Sequence, residues 1–349
     1  MMRRAADRTG LAVAPLAAVL SLASAAAAEP APKAAPFIVS GVYVDHRLWL
    51  LGEDGVLTSI DPVGGGRRIE LARGVTAIAK WKGELWALRR QSDARGRAKV
   101  RFEVLVRRAG GFSPLTPLTA PGDAGPIGLA LSAGGPVLTG QLSVWTLPSG
   151  ASQWRHTRLR SLTNALPFGM ITTAVSLDGR SLFVGWNRGE WGGSLTRIDI
   201  GSGRLMSRER EPVTGLVADP DNPACVLASF GLSHMIALGS IGRACGDQLQ
   251  TVFENKPAKV PPGQVTPTME ESEPFFGVAA DSNGVWAVSY RALYRLNGAA
   301  PPTPYPIGPW TDVGGVKLSR PTPGVILVLT GINAHKSLSG DTPLVVPAP

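Results

Sequence analysis

The sequence predicts an all-β protein: a β-propeller of seven four-stranded antiparallel blades, with six blades as the alternative count. Three observations carry this. Gly (42) and Pro (30) together make about a fifth of the 349 residues; both are poor in helix interiors and suit short strands joined by turns. The hydrophobic fraction is 44%, which gives apolar surface for a sizeable core and excludes a disordered chain. Finally, one short pattern recurs along the chain, the signature of a repeat architecture.

The N-terminus stands apart from that repeat. Arg3, Arg4 and Arg8 precede an apolar run from Leu11 to Leu22, and the small-residue stretch that follows ends at Ala28. This order is that of a secretory signal peptide over residues 1–28 with an Ala-x-Ala cleavage site. The run is about a dozen residues, short of the roughly 20 that span a bilayer. Residues 29–38 then read as an N-terminal extension, and 39–349 as a single propeller domain. Without the leader the chain keeps a net charge of +7, against +9 for the whole sequence. Its basic residues are spread along the chain rather than gathered on one element, which argues against a nucleic-acid partner. The expected location is exported, periplasmic or secreted.

The repeat opens at residues 41, 76, 128, 173, 215, 277 and 315. The mean spacing is about 46 residues, close to the length of a four-stranded blade. Each opening has small and apolar residues in alternation, as a strand crowded around a central axis requires. A turn follows, such as Lys82-Gly83 or Asp178-Gly179, and then a second apolar run. That second strand lies between blades and needs bulk, which Trp49, Trp86, Phe183 and Trp286 supply. Third strands are expected at 56–60, 142–147, 194–200 and 292–296, and fourth strands at 68–71, 153–159 and 249–253. Proline-rich segments at 257–274 and 301–309 read as connections. The last unit lacks a clear fourth strand, which either 344–346 or 37–39 would complete.

The unit that runs from Phe276-Gly-Val-Ala-Ala-Asp281 through Val285-Trp-Ala-Val288 to Ala292-Leu-Tyr-Arg-Leu296 resembles the repeat of bacterial regulator-type and lyase-type β-propellers. There an Asp-x-x-Gly turn precedes an apolar-Trp pair, and a Leu-Tyr-x-Leu strand follows. The resemblance implies the fold and no activity, because propellers of this kind include sensors, binding modules and lyases.

The two cysteines fall on one blade. Cys225 opens its second strand and Cys245 closes its third. Antiparallel neighbours bring those ends together, so a disulfide is expected in an oxidising compartment.

Loops joining second to third strands emerge on the same side as the blade connections, and such loops carry ligand contacts. The most specific is the segment 186–193, Trp-Asn-Arg-Gly-Glu-Trp-Gly-Gly. Here Trp186 and Trp191 offer stacking surfaces, while Asn187, Arg188 and Glu190 offer hydrogen bonds. The competing reading packs the tryptophans between blades and leaves an Arg–Glu pair on the surface. His234, Tyr290 and Arg291 are the further candidates on that side. Glu270, Glu271 and Glu273 read as a solvated charge run, and Asp219, Asp221 and Asn222 form only fragments of a calcium loop. No catalytic motif, metal site or cofactor site is expected. The functional expectation is a noncatalytic propeller that binds a glycan, peptide or protein. The alternative is a propeller hydrolase or lyase acting on a cell-envelope or small-molecule substrate, using Glu190, His234 and a metal held by acidic loop residues.

Overall fold

Alternation of small and bulky apolar residues generates strands throughout the computed structural model. It describes residues 38–61, 67–91, 99–108, 111–121, 125–160, 170–233, 236–256, 269–270, 272–281, 284–289, 291–298, 300–306, 317–322, 325–329 and 344–347. The expected leader, most of the extension, His234 and Tyr290 lie outside these residues.

Seven sheets follow one another along the chain. The first holds β1 (Ile38–Val44), β2 (Arg47–Gly52), β3 (Leu57–Ile60) and β4 (Arg67–Leu71). The second holds β5 (Val75–Trp81), β6 (Glu84–Gln91), β7 (Lys99–Arg108) and β8 (Gly111–Pro114), with β9 (Leu118–Pro121) also on β7. Blade three is β10 (Pro126–Ser132), β11 (Gly135–Gly140), β12 (Ser143–Thr146) and β13 (Arg155–Arg158). Blade four is β14 (Met170–Val175), β15 (Ser181–Asn187), β16 (Gly193–Asp199) and β17 (Leu205–Arg210). Blade five is β18 (Val213–Ala218), β19 (Cys225–Ser233), β20 (Ile236–Cys245) and β21 (Gln248–Phe253), and β22 (Met269–Glu270) runs parallel to β20. Blade six is β23 (Phe275–Asp281), β24 (Gly284–Ser289), β25 (Ala292–Asn297) and β26 (Ala300–Pro306). The seventh sheet has three strands among the described residues: β27 (Lys317–Thr322), β28 (Val325–Leu329) and β29 (Leu344–Pro347).

The first strand of each sheet lies against the first strand of the next, and β27 lies against β1. That contact closes a seven-bladed ring, which leaves no inner sheet edge exposed. Five of the seven first strands share a one-residue register shift near their start: Ile38/Ser40, Val75/Ala77, Pro126/Gly128, Val213/Gly215 and Phe275/Gly277. A bulge there bends the strand toward the axis. The residue after it must be small. A Cβ on Gly215 would stand 2.8 Å from the backbone nitrogen of Val278 and 3.1 Å from the Cα of Gly277, both on the neighbouring first strand.

The core consists of layers between blades. Val42, Trp49 and Leu57 of blade one pack with Ile78, Leu85 and Leu105 of blade two. Phe183 and Leu195 of blade four pack with Val226, Ala228 and Phe230 of blade five. Small first-strand residues face the bulky second-strand ones directly, as in Ala79 opposite Trp86, Ala174 opposite Phe183 and Ala279 opposite Trp286. Trp49, Phe183 and Trp286 are fully buried, as bulk at the blade interfaces predicts.

Three strand expectations change. Leu344–Pro347 pairs with β28 and takes the third place in the last sheet, not the fourth. Val39 lies in β1, the innermost strand of blade one, so it cannot serve as an outer strand of blade seven. The proline-rich 300–306 segment is the outer strand of blade six rather than a connection. An outer strand needs hydrogen bonds on one edge only, and prolines at 302, 304 and 306 put their N–H-less nitrogens on a single edge.

Candidate functional site

The 186–193 segment forms the hairpin between β15 and β16, and its residues divide sharply between core and solvent. Strand direction alternates within a blade, so this loop emerges at the same end of the ring as the blade-to-blade connections. Asn187 pairs with Gly193 at the base of the hairpin. The Asn187 side-chain oxygen accepts from the Gly189 N–H at 2.8 Å, an Asx turn that starts the loop. Arg188 N–H donates to the Gly192 carbonyl at 3.0 Å, and Gly192 N–H donates to the Gly189 carbonyl at 3.1 Å. Residues Gly189–Trp191 therefore form one turn of 3-10 helix. Gly189 and Gly192 sit at φ 63° and 80°, where a side chain would be strained. A Cβ on Gly193 would stand 2.3 Å from the Trp186 carbonyl and 2.8 Å from the Pro212 Cα, so the loop is seated on the connection to blade five.

Trp191 at the end of this turn is 78% exposed, the most exposed of the large hydrophobic side chains described. Trp186 is 1% exposed and packs with Val137, Val144, Leu182 and Ile198 between blades three and four. That burial removes Trp186 as a stacking surface: it still lies within β15, which is buried on both faces, whereas Trp191 lies beyond the strand. The competing reading of buried tryptophans thus holds for one of the pair. The Trp186 indole Nε1 and the hydroxyl of Ser194, directly opposite on β16, are buried with no hydrogen-bond partner among the described residues. Arg188 is half-buried and Glu190 exposed.

The 3-10 turn lies beside β19 of blade five, whose last residue, Ser233, immediately precedes His234. Arg291 is exposed in the β24–β25 turn of blade six, and its N–H donates to Ser289 Oγ at 2.9 Å. The hairpin of blade four and the end of β19 are thereby brought together, while Arg291 lies on the far side of blade five.

Two acidic segments behave unlike their sequence readings. Glu273 is fully buried rather than solvated. Its Oε2 accepts from Asn255 Nδ2 and from the Tyr294 hydroxyl, each at 2.6 Å, and its Oε1 accepts from the Ser289 hydroxyl. The Glu273 N–H also donates to the Asn255 carbonyl at 2.8 Å. This carboxylate ties the segment just after β21 of blade five to blade six, where Phe253, Phe275 and Tyr294 form an aromatic cluster. Burial, and then the hydrogen bond to Glu273, push the Tyr294 hydroxyl well above the usual tyrosine range. Asp219 is likewise buried and pairs with the Arg243 Nε at 2.5 Å, with Asp221 Oδ2 3.7 Å from the same guanidinium. The cation beside the calcium-like fragment is thus an arginine. Among the described residues no three His, Cys, Asp or Glu side chains converge as a metal site.

Cys225 and Cys245 face each other directly across β19 and β20, with Cα atoms 4.4 Å apart, and form a disulfide. No helix among the described residues is long and apolar enough to cross a membrane.

No family model matches the chain, and no curated protein does. Among solved structures it is similar to YCF48 from Cyanidioschyzon merolae, at 12% identity and a TM-score of 0.51 over 85% of this chain and 93% of that one. It is also similar to a computationally designed protein, at 13% identity and a TM-score of 0.50 over 90% and 96%. The extracellular domain of the hybrid two-component system BT4673 from B. thetaiotaomicron matches at 14% identity and a TM-score of 0.48; the chain spans 37% of its length. The first two likenesses show a common fold and nothing of activity: the chain is a β-propeller.

Proposed function

We propose that this is an exported, noncatalytic β-propeller that binds a glycan, peptide or partner protein through the loop face around Trp191. The observation that carries the proposal is a large aromatic side chain held in solvent on a short, hydrogen-bonded turn. An exposed indole costs solubility, and one on a rigid platform loses little entropy when a ligand covers it. Asn187, Arg188 and Glu190 lie in the same loop as polar groups for orientation. Export is supported by the disulfide, since such bonds persist in oxidising compartments.

The test is a thermal-shift and fluorescence screen of the protein and of Trp191→Ala against muropeptides, β-glucan oligosaccharides and an unstructured peptide library. Exposed Trp191 makes no core contact that its loss would empty, so the variant keeps the wild-type melting temperature. A binding probe changes the tryptophan emission of the wild type, and Trp191→Ala weakens it at least about tenfold, as for an aromatic anchor. Equal binding by both proteins would remove this loop from the site.

A further inference from the structure

The outer strand of blade three is unusually basic. Arg155, His156 and Arg158 lie on β13, and Arg160 follows two residues later. This edge meets the β16–β17 turn of blade four through the backbone. Arg160 N–H donates to the Gly203 carbonyl at 2.8 Å, and Arg160 forms an isolated parallel bridge with Arg204. The contact is tight: a Cβ on Gly203 would stand 2.1 Å from the Arg158 carbonyl. Two arginines are thus fixed side by side by main-chain hydrogen bonding, although like charges at paired positions repel.

Between the two edges is an open cleft of about 600 Å³, with His156, Arg158 and Arg160 on one wall and Gly201 and Ser202 on the other. Arg158, Arg160 and Arg204 are exposed, and none forms an ion pair with a described carboxylate. The carboxylate in the adjoining turn, Asp199, is already engaged. It accepts from the Ser202 N–H at 2.7 Å and the Ser202 hydroxyl at 2.6 Å, and those bonds hold its carboxyl below the usual range. The His156 ring is fixed as well, with Nε2 2.6 Å from Ser143 Oγ and the ring 5.7 Å from that of Trp145.

We propose that this cleft binds a phosphate or sulfate monoester of a sugar, with Arg158 and Arg160 gripping the oxyanion. A guanidinium fork matches two oxygens of a tetrahedral anion, and arginine is the residue suited to that bidentate recognition. The cleft is in the size range of small-molecule sites and far larger than one ion. It therefore has room for the sugar that bears the ester, against the Gly201-Ser202 backbone.

The experiment is isothermal titration of the full chain with glucose 6-phosphate, a sulfated heparin hexasaccharide, inorganic phosphate and glucose. Arg158→Gln/Arg160→Gln is titrated beside Arg68→Gln, an exposed arginine on the outer strand of blade one. At least one ester binds more tightly than inorganic phosphate and glucose, and the double variant weakens it by about tenfold or more while Arg68→Gln does not. Binding of the monosaccharide ester assigns a small ligand; binding of the hexasaccharide alone assigns a polymeric source. The proposal fails if neither ester binds better than inorganic phosphate, or if the double variant binds as the wild type does. Should the double variant not fold, Arg160→Gln alone is read against the same criteria.

Discussion

Replacing Glu273 by glutamine keeps the side-chain shape and removes the negative charge from a fully buried position. The consequence follows from its three donors. A glutamine oxygen placed at the Oε2 position still accepts from Asn255 and Tyr294, but without the assistance of a charge. Its NH₂ then faces Ser289 Oγ, which already accepts from the N–H groups of Arg291 at 2.9 Å and Ala292 at 3.0 Å. That amide nitrogen has no acceptor. A buried unsatisfied donor costs about 1–3 kcal/mol, and hydrogen bonds to charged groups exceed neutral ones by roughly 1 kcal/mol each. The expected loss for Glu273→Gln is therefore about 3–5 kcal/mol, read by urea unfolding followed through tryptophan fluorescence. Tyr294→Phe removes one of the two Oε2 donors and should cost less, about 1–2 kcal/mol. A Glu273→Gln variant within about 0.5 kcal/mol of wild type, the range of ordinary surface changes, would refute the sealed network.

Further consequences concern pH, packing and the disulfide. The folded protein holds the Tyr294 proton more tightly than the unfolded chain does. That stabilisation is complete below about pH 10 and is lost as pH rises beyond it, with a slope of up to about 1.4 kcal/mol per pH unit. Tyr294→Phe should therefore lose less stability than wild type between pH 9 and 11 in thermal melts; parallel losses would contradict the assignment. Gly215→Ala forces a methyl against the backbone of the next first strand and should cost about 1–3 kcal/mol. Gly134→Ala has its nearest neighbour at 3.6 Å and should be nearly neutral, so equal melting temperatures for the two variants would argue against close inner-strand packing. The Cys225–Cys245 bridge closes a separation of 20 residues and contributes about 3 kcal/mol in the chain-entropy account. Dithiothreitol should lower the melting temperature of the wild type and leave Cys225→Ser/Cys245→Ser unchanged; no shift in the wild type would mean the bridge is dispensable.

The candidate site was only partly legible. The hairpin stands out in the sequence because tryptophan flanks it on both sides, yet only the point where β15 ends tells the two apart. Trp186 is the last core-facing residue of β15, and Trp191 lies past the strand on the turn. Glu273 departs from its sequence expectation for the same kind of reason. A run of glutamates looks solvated, and the burial of its last member depends on Asn255, Ser289 and Tyr294, 16 to 21 residues away in sequence. The blade-three cleft had one signal, arginines at 155, 158 and 160. Their junction with Arg204 depends on how one blade's edge meets the next.

The propeller fold was legible in the sequence, which narrowed the blade count to seven or six; the contact of β27 with β1 made it seven. Propeller strands are local objects, and small residues, bulky residues and turns repeat along the chain in the order the blades use them. The sequence also determined the pairing of Cys225 with Cys245, because antiparallel neighbours bring the start of one strand to the end of the next. The tertiary structure alone decided which positions are outermost, so that a proline-rich segment became β26 and Leu344–Pro347 became a third strand. It also decided which polar side chains are sealed and which aromatic stands in water. Those outcomes depend on contacts between blades, and a period of about 46 residues carries no information about what lies across the gap between them.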